Sequence, residues 1–150
     1  LFRFSEKEIS ACGRCEYECF NALKACPYVS DGLFSLYTDI IASDLAYYLV
    51  PNYCDFPCAN FFAFNERSQC FFQGHGELVD KYLSVRKRFV VVSNTGKQNF
   101  VQAFCDHVAP GDQPDVLFMS ASHFHKSSIA GDLMESEDAK NELSDFLLRK

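Results

Sequence analysis

Cys12-Gly13-Arg14-Cys15 (CGRC), with Pro57 lying 45 residues after Cys12 and Gly74 a further 17 residues on, is the stretch on which the fold reading turns. Two cysteines separated by two residues suit three chemistries: thiol–disulfide exchange, zinc ligation alongside a second pair, and structural disulfides or inert buried thiols. Cys19 extends the motif to C-x2-C-x3-C, which also suits a metal or an iron–sulfur cluster. The zinc reading lacks its usual second pair, because Cys54 and Cys58 are spaced by four.

From Cys12 to about Cys26 the pattern is helical. Cys12, Cys15, Cys19, Ala22 and Cys26 are spaced by 3, 4, 3 and 4 residues and share one face. Pro27 ends that helix, and Ser30-Asp31-Gly32 is a turn. Upstream, Leu1 to Ser5 alternates as a short strand does. Downstream, Leu33 to Ile41 (LFSLYTDII) reads as a strand, and Ser43-Asp44 caps a short helix from Leu45 to Leu49 or Val50. Cys58 to Phe64 (CANFFAF), apolar on both faces, reads as a central strand. Asn65-Glu66-Arg67-Ser68 is then a hairpin turn and Gln69 to Gln73 the return strand. After Gly74 a helical stripe of Leu78, Val79, Tyr82 and Leu83 runs into Arg86-Lys87-Arg88, cations that suit a helix C-terminus.

The second half opens with a strong strand, Phe89 to Ser93 (FVVVS). A helix around Gln98 to Val108 follows, then a turn at Pro110-Gly111-Asp112, a strand from Val116 to Ala121 and a closing helix from Glu137 to Leu148. The Ser-rich segment from Ser122 to Glu135 is the candidate mobile loop. Together these elements predict an α/β sandwich with a mixed sheet over 1–88, and a C-terminal βαβα extension or partial second domain over 89–150.

At a helix N-terminus, unpaired backbone N–H groups and a partial positive charge favour a thiolate, and Cys12 is expected there. Arg14 adds a fixed positive charge that lowers the Cys12 pKa further. The expected cycle is attack by Cys12, a mixed disulfide, and displacement by Cys15 one turn further on.

With its order of elements, the motif resembles the thioredoxin superfamily, closest to a thioredoxin or a catalytic domain of protein disulfide isomerase, over about residues 1–88. The resemblance implies a three-layer sandwich around a central mixed sheet. It places Cys12 on the nucleophile, Cys15 on the resolving cysteine, Pro57 on the cis-proline beside the active site, and Gly74 on the glycine before the last helix. It further implies a substrate-binding loop at Phe56 and Pro57 and an acidic strand residue at Asp39. Glu6 falls where a buried carboxylate in the family sometimes accepts a proton, but an exposed Glu6 is the favoured reading. The sequence departs from the family at Ala11, where a Trp is usual, at Arg14, and in the polar Glu6-Lys7-Glu8. The function implied is a thiol–disulfide oxidoreductase acting on protein or peptide disulfides. The alternative is a non-catalytic thioredoxin-like module that binds clients or partners within a larger secretory-pathway protein.

The chain has 150 residues, of which 48% are hydrophobic, which is enough for a core without disulfide staples. Sixteen Phe and seven Tyr, with no Trp, make that core aromatic. A net charge of −6 and no basic run beyond Arg86-Lys87-Arg88 argue against nucleic acid as a partner. No apolar stretch approaches the roughly 20 residues of a membrane span, so no membrane insertion is expected in this segment. The start at Leu1 rather than Met leads us to expect a piece of a larger protein. Eight cysteines favour an oxidising compartment, the endoplasmic reticulum lumen or a secreted setting, over the cytoplasm.

No phosphate loop, dinucleotide fingerprint or nucleophile-elbow serine occurs, so no cofactor is expected. His123-Phe124-His125 reads as a polar loop rather than a metal site, and no metal is expected. Cys19 and Cys26 are expected to pack as small hydrophobes. Cys58, which follows Pro57 and so falls near the Cys12/Cys15 pair, is expected to be buried rather than to trap mixed disulfides or hold a metal. A Cys58–Cys70 bridge is disfavoured by the hairpin register. The pairing of Cys54 stays open.

Overall fold

Helices rather than strands occupy 33–41 and 59–72 in the computed structural model, which describes residues 1–7, 9–13, 15–21, 26–96, 99–108 and 115–149. The chain divides into two units. One comprises Leu1–Ala46 and Ala59–Arg86, the other Tyr47–Cys58 and Lys87–Lys150.

Apart from the start of the first strand, the first unit is built from helices: α1 (Glu18–Asn21), α2 (Leu33–Ile41), α3 (Ala59–Phe72) and α4 (Gly76–Ser84), with single 3-10 turns at Phe4–Glu6 and Val29–Asp31. Leu33, Tyr37 and Ile40 are the buried residues of α2, spaced by four and three as a helix face requires. The Asp31 carboxylate accepts the Leu33 N–H at 3.2 Å and relieves one unpaired donor of the first turn. In α3 the buried side chains are Phe61, Ala63, Phe64 and Arg67. The expected hairpin turn at 65–68 is therefore mid-helix, and Gln69 to Gln73 is no return strand. The run 59–72 contains neither Gly nor Pro, so nothing in it breaks a helix once one face is buried. Gly74, at φ 77°, supplies the left-handed turn that lets the chain leave α3 and enter α4.

Tyr37 is the centre of this unit. Its ring stacks on Phe64 at 4.6 Å and on Phe71 at 5.0 Å, with Tyr82 edge-on at 5.8 Å. Its hydroxyl donates to the Phe64 carbonyl, which satisfies the polar atom that Tyr37 carries into the cluster of rings. Burial pushes the phenol well above its ordinary range. The strand expected over 1–5 is absent. Phe2 and Phe4 pack edge to face at 5.1 Å, and Phe4 reaches Phe64 at 6.4 Å.

The second unit carries the sheet. Its strands are β1 (Leu45–Tyr53, whose first two residues belong to the other unit), β2 (Phe56–Pro57), β3 (from Arg86, the last residue of that unit, to Ser93) and β4 (Asp115–Ser120), in the order β2-β1-β3-β4. β1 and β2 are antiparallel, with Asn52 opposite Pro57 and Tyr53 opposite Phe56. β3 and β4 are parallel, from Arg88 opposite Asp115 to Ser93 opposite Ser120. The fold is thus mixed α/β with an open, mixed four-stranded sheet. The helix expected over 45–50 is part of β1, where Val50 and Asn52 are buried and Leu49, Pro51 and Tyr53 face out, the alternation of a strand.

Helices α5 (Asn99–Val108) and α6 (Glu137–Leu148) lie close to their expected limits. The Ser136 hydroxyl caps α6 by accepting the Ala139 N–H at 3.3 Å, with Glu137 and Asp138 in the first turn. Ala139 and Phe146 then close on Val90, Leu117, Met119, Ala121 and Leu133. Burying Phe146 alone contributes about 1.5–3 kcal/mol. The segment expected to be a mobile loop is an ordered link. It holds 3-10 turns at Ala121–Phe124 and Leu133–Glu135, a Ser127 N–H to Asp132 bond of 2.7 Å, and buried Leu133. The turn expected at Pro110-Gly111-Asp112 lies outside the described residues.

Arg86-Lys87-Arg88 opens β3 instead of ending a helix, and Lys87 and Arg88 are buried. The Arg88 guanidinium meets Asp115 at 2.8 Å and donates to the Tyr47 hydroxyl at 3.1 Å, between the rings of Tyr47 and Phe146. This environment lets a permanent cation stay inside. Burial lowers the Lys87 pKa to about 8.

Candidate functional site

All eight cysteines are free thiols, and five of them belong to the first unit. Cys12 and Cys15 are half-buried, Cys19 and Cys26 are buried, and Cys70 on α3 is half-buried. They form a series of neighbours. Cys19 is held above the ordinary thiol range by burial first, and then by the charges of Cys12, Cys26 and Cys15. Cys26 in turn makes a side-chain hydrogen bond with Cys70. The Cys70 pKa is pushed up to about 11, chiefly by burial, against the hydrogen bond from the Arg67 guanidinium.

The local backbone differs from the expected one. Cys12 and Gly13 form a turn, Cys15 sits in a bend, and the helix begins only at Glu18. Gly13 has φ 88° and Tyr17 φ 54°, left-handed values that a right-handed helix from Cys12 could not contain. Cys12 is therefore not at a helix N-terminus, and the dipole argument for its thiolate does not hold. The positive φ favours glycine at position 13, whereas a Cβ there would meet only the Tyr17 hydroxyl at 3.3 Å, the end of an exposed side chain. Arg14 lies outside the described residues, as does Glu8.

Glu6 is an exposed residue paired with Arg3 at 2.9 Å, not a buried carboxylate. Asp39 is exposed on α2. Glu18, the first residue of α1, keeps Oε2 buried with no hydrogen-bond partner among the described residues. It is the nearest carboxylate in sequence to Cys19. Phe56 and Pro57 form the short strand β2 of the second unit, with Phe56 exposed and Pro57 buried. Among the described residues no peptide bond is cis, so the cis bond expected before Pro57 is not found. The exposed Cys54, half-buried Cys58 and buried Cys105 belong to this unit too, and burial pushes the Cys105 thiol up to about 12. Cys58 thus falls in a different unit from Cys12 and Cys15.

Sequence reasoning missed Arg67. Its side chain is 1% exposed. It donates to Asp31 at 2.6 Å, to the Ser10 carbonyl at 2.9 Å and to the Tyr28 carbonyl at 3.0 Å. Burial opposes its charge, but the bonds to Asp31 and Cys70 outweigh burial and hold the guanidinium protonated. Arg67 thereby fastens the chain at 10, 28 and 31 to α3. A pattern search that assumes Arg is exposed could not find it.

Among the described residues no three His, Cys, Asp or Glu side chains are grouped so as to hold a metal ion. No described helix is long and apolar enough to cross a membrane. Comparison with protein-family models, with curated proteins and with solved structures returned no match.

Proposed function

We propose that this protein exchanges thiols with protein or peptide disulfides, using Cys12 and Cys15 as its reactive pair. The observation that carries this reading is the series of free thiols that begins at half-exposed Cys12 and Cys15 and continues through buried Cys19. A nucleophilic thiol has to be reachable, and its resolving partner has to lie within a short swing of the chain. Cys12 and Cys15, three apart in sequence across the Gly13 turn, meet the second condition. Cys12 attacks a substrate sulfur as thiolate, one substrate thiolate leaves, and Cys15 displaces the second. The products are a Cys12–Cys15 disulfide and a reduced substrate. An oxidising lumen or secreted setting is the compartment in which such a pair would meet disulfide-bearing clients. A thioredoxin-like ancestry stays part of the proposal through the CGRC motif and its distances to Pro57 and Gly74.

Insulin reduction followed by turbidity, with Cys12→Ser as control, tests this directly. Cys12-dependent turnover is the expected result. Turnover that is absent, or unchanged in the Cys12→Ser protein, removes the enzyme reading.

A second reading, a partner-binding module without turnover, is favoured by one face of the second unit. Tyr47, Leu49, Tyr53 and Phe56 are exposed on β1 and β2, Leu49 at 72% and Tyr53 at 64%. Four large apolar side chains on one hairpin are more than scattered surface residues account for.

A further inference from the structure

We propose that Cys26 and Cys70 are a latent disulfide site, whose closure staples the 26–31 segment to helix α3. Two features of the geometry carry this. The two thiols are already in side-chain hydrogen-bond contact, and the Cys70 Sγ also donates to the Arg67 carbonyl at 3.0 Å, which fixes its rotamer on α3. Arg67 and Cys70 are three residues apart on that helix, so they point the same way from successive turns. Arg67 already holds the Tyr28 carbonyl and Asp31, and Cys70 meets Cys26, two residues before Tyr28. Arg67 thus ties the chain just beyond Cys26 to the helix that carries Cys70, and closure requires the two sulfurs to move from hydrogen-bond contact to bonding distance.

The chemistry balances with a small-molecule disulfide as oxidant. Half-exposed Cys70 loses its proton and attacks one sulfur of glutathione disulfide, releasing glutathione thiolate and leaving a mixed disulfide. Buried Cys26 loses its proton and attacks the Cys70 sulfur, and the second glutathione leaves. The protein loses two hydrogens and two electrons, and one glutathione disulfide becomes two glutathione thiols. Because the attacking thiol is held protonated near neutral pH, closure is slow there. Its rate rises about tenfold per pH unit between pH 7 and 9, as the thiolate fraction does.

The test is closure of the full chain with glutathione disulfide at pH 7, 8 and 9, followed by alkylation, protease digestion without reduction and mass spectrometry. It is run on the natural sequence and on Cys12→Ser/Cys15→Ser, so the result stands apart from the exchange activity proposed above. The expected product in both is a cross-linked peptide pair containing Cys26 and Cys70, with a thermal midpoint raised by roughly 5–10 °C. In Cys70→Ser, or Cys70→Ala if the serine variant does not fold, that rise is lost. Recovery of Cys26 or Cys70 as alkylated thiol, bonding of either to a different cysteine, or a midpoint rise that survives the Cys70 substitution overturns the proposal. The peptide map of the natural sequence decides the matter even if neither variant folds.

Discussion

Arg67 ties two separate stretches of chain, at Ser10 and at 28–31, to one helix with a single side chain, and its removal is strongly destabilising. Arg67→Met leaves the Asp31 carboxylate, itself largely buried, without its cation, and takes a donor from the carbonyls of Ser10 and Tyr28, the latter still accepting the Asp31 N–H. A loss of about 3–5 kcal/mol is expected in urea unfolding, as for other buried pairs broken from one side. Lys87 acts in the opposite sense. Its folded pKa of about 8 lies below its ordinary value of 10.5, so the folded state carries the cost of a buried charge below pH 8. Between pH 8 and 10.5 the unfolded chain binds more protons than the folded one, and this contribution to stability rises with pH. Lys87→Met should therefore gain on the natural protein by on the order of 1–2 kcal/mol more at pH 7 than at pH 10.5, the difference shrinking as pH rises through that range. Denaturant midpoints of the two proteins across that range check both the size and the sign.

The β1–β2 hairpin shows how much an element can depart from its preferred sequence. Cys54 and Asp55 form its two-residue loop with φ of 52° and 68°, the mirror-image turn for which Asn-Gly is preferred. Cys54→Asn with Asp55→Gly should stabilise the protein by about 1 kcal/mol in thermal or chemical melts, with the hairpin register unchanged. Such a loop hides its turn from a sequence reader, and Leu45 to Val50 accordingly read as helix. The apolar runs at 33–41 and 58–64 posed a different difficulty. Stretches of fewer than ten mostly apolar residues fit either period, so strand and helix look alike. The helical spacing of 61, 64 and 67 appears only when an arginine is counted as core. Where patterning and capping agreed, as at Phe89 to Ser93, around 98–108 and from Glu137 to Leu148, the elements lie close to their expected limits. The thiols of the candidate site were legible by type and spacing. The helix beneath them was not, because a glycine and a tyrosine in left-handed conformation interrupt a face that looks regular in one dimension.

At the scale of the molecule, the sequence suggested a boundary at 88/89, whereas the two units interleave, with 47–58 assigned to the unit that holds 87–150. Residues 1–88 expressed alone would keep β1 and β2 but lose Phe89 to Ser93 of β3 and the whole of β4, the rest of the sheet order. We expect that fragment to show no cooperative thermal transition by circular dichroism, since a lone hairpin is marginal in water. A sharp two-state melt would instead mean that the helical unit folds without residues 89–150. One margin of the sheet has a further consequence. It ends in a strand of two residues whose last member is Pro57, a residue with no amide hydrogen to share. Another polypeptide arriving there finds almost no ladder to extend, so concentrated solutions of this protein should resist fibril growth from that side.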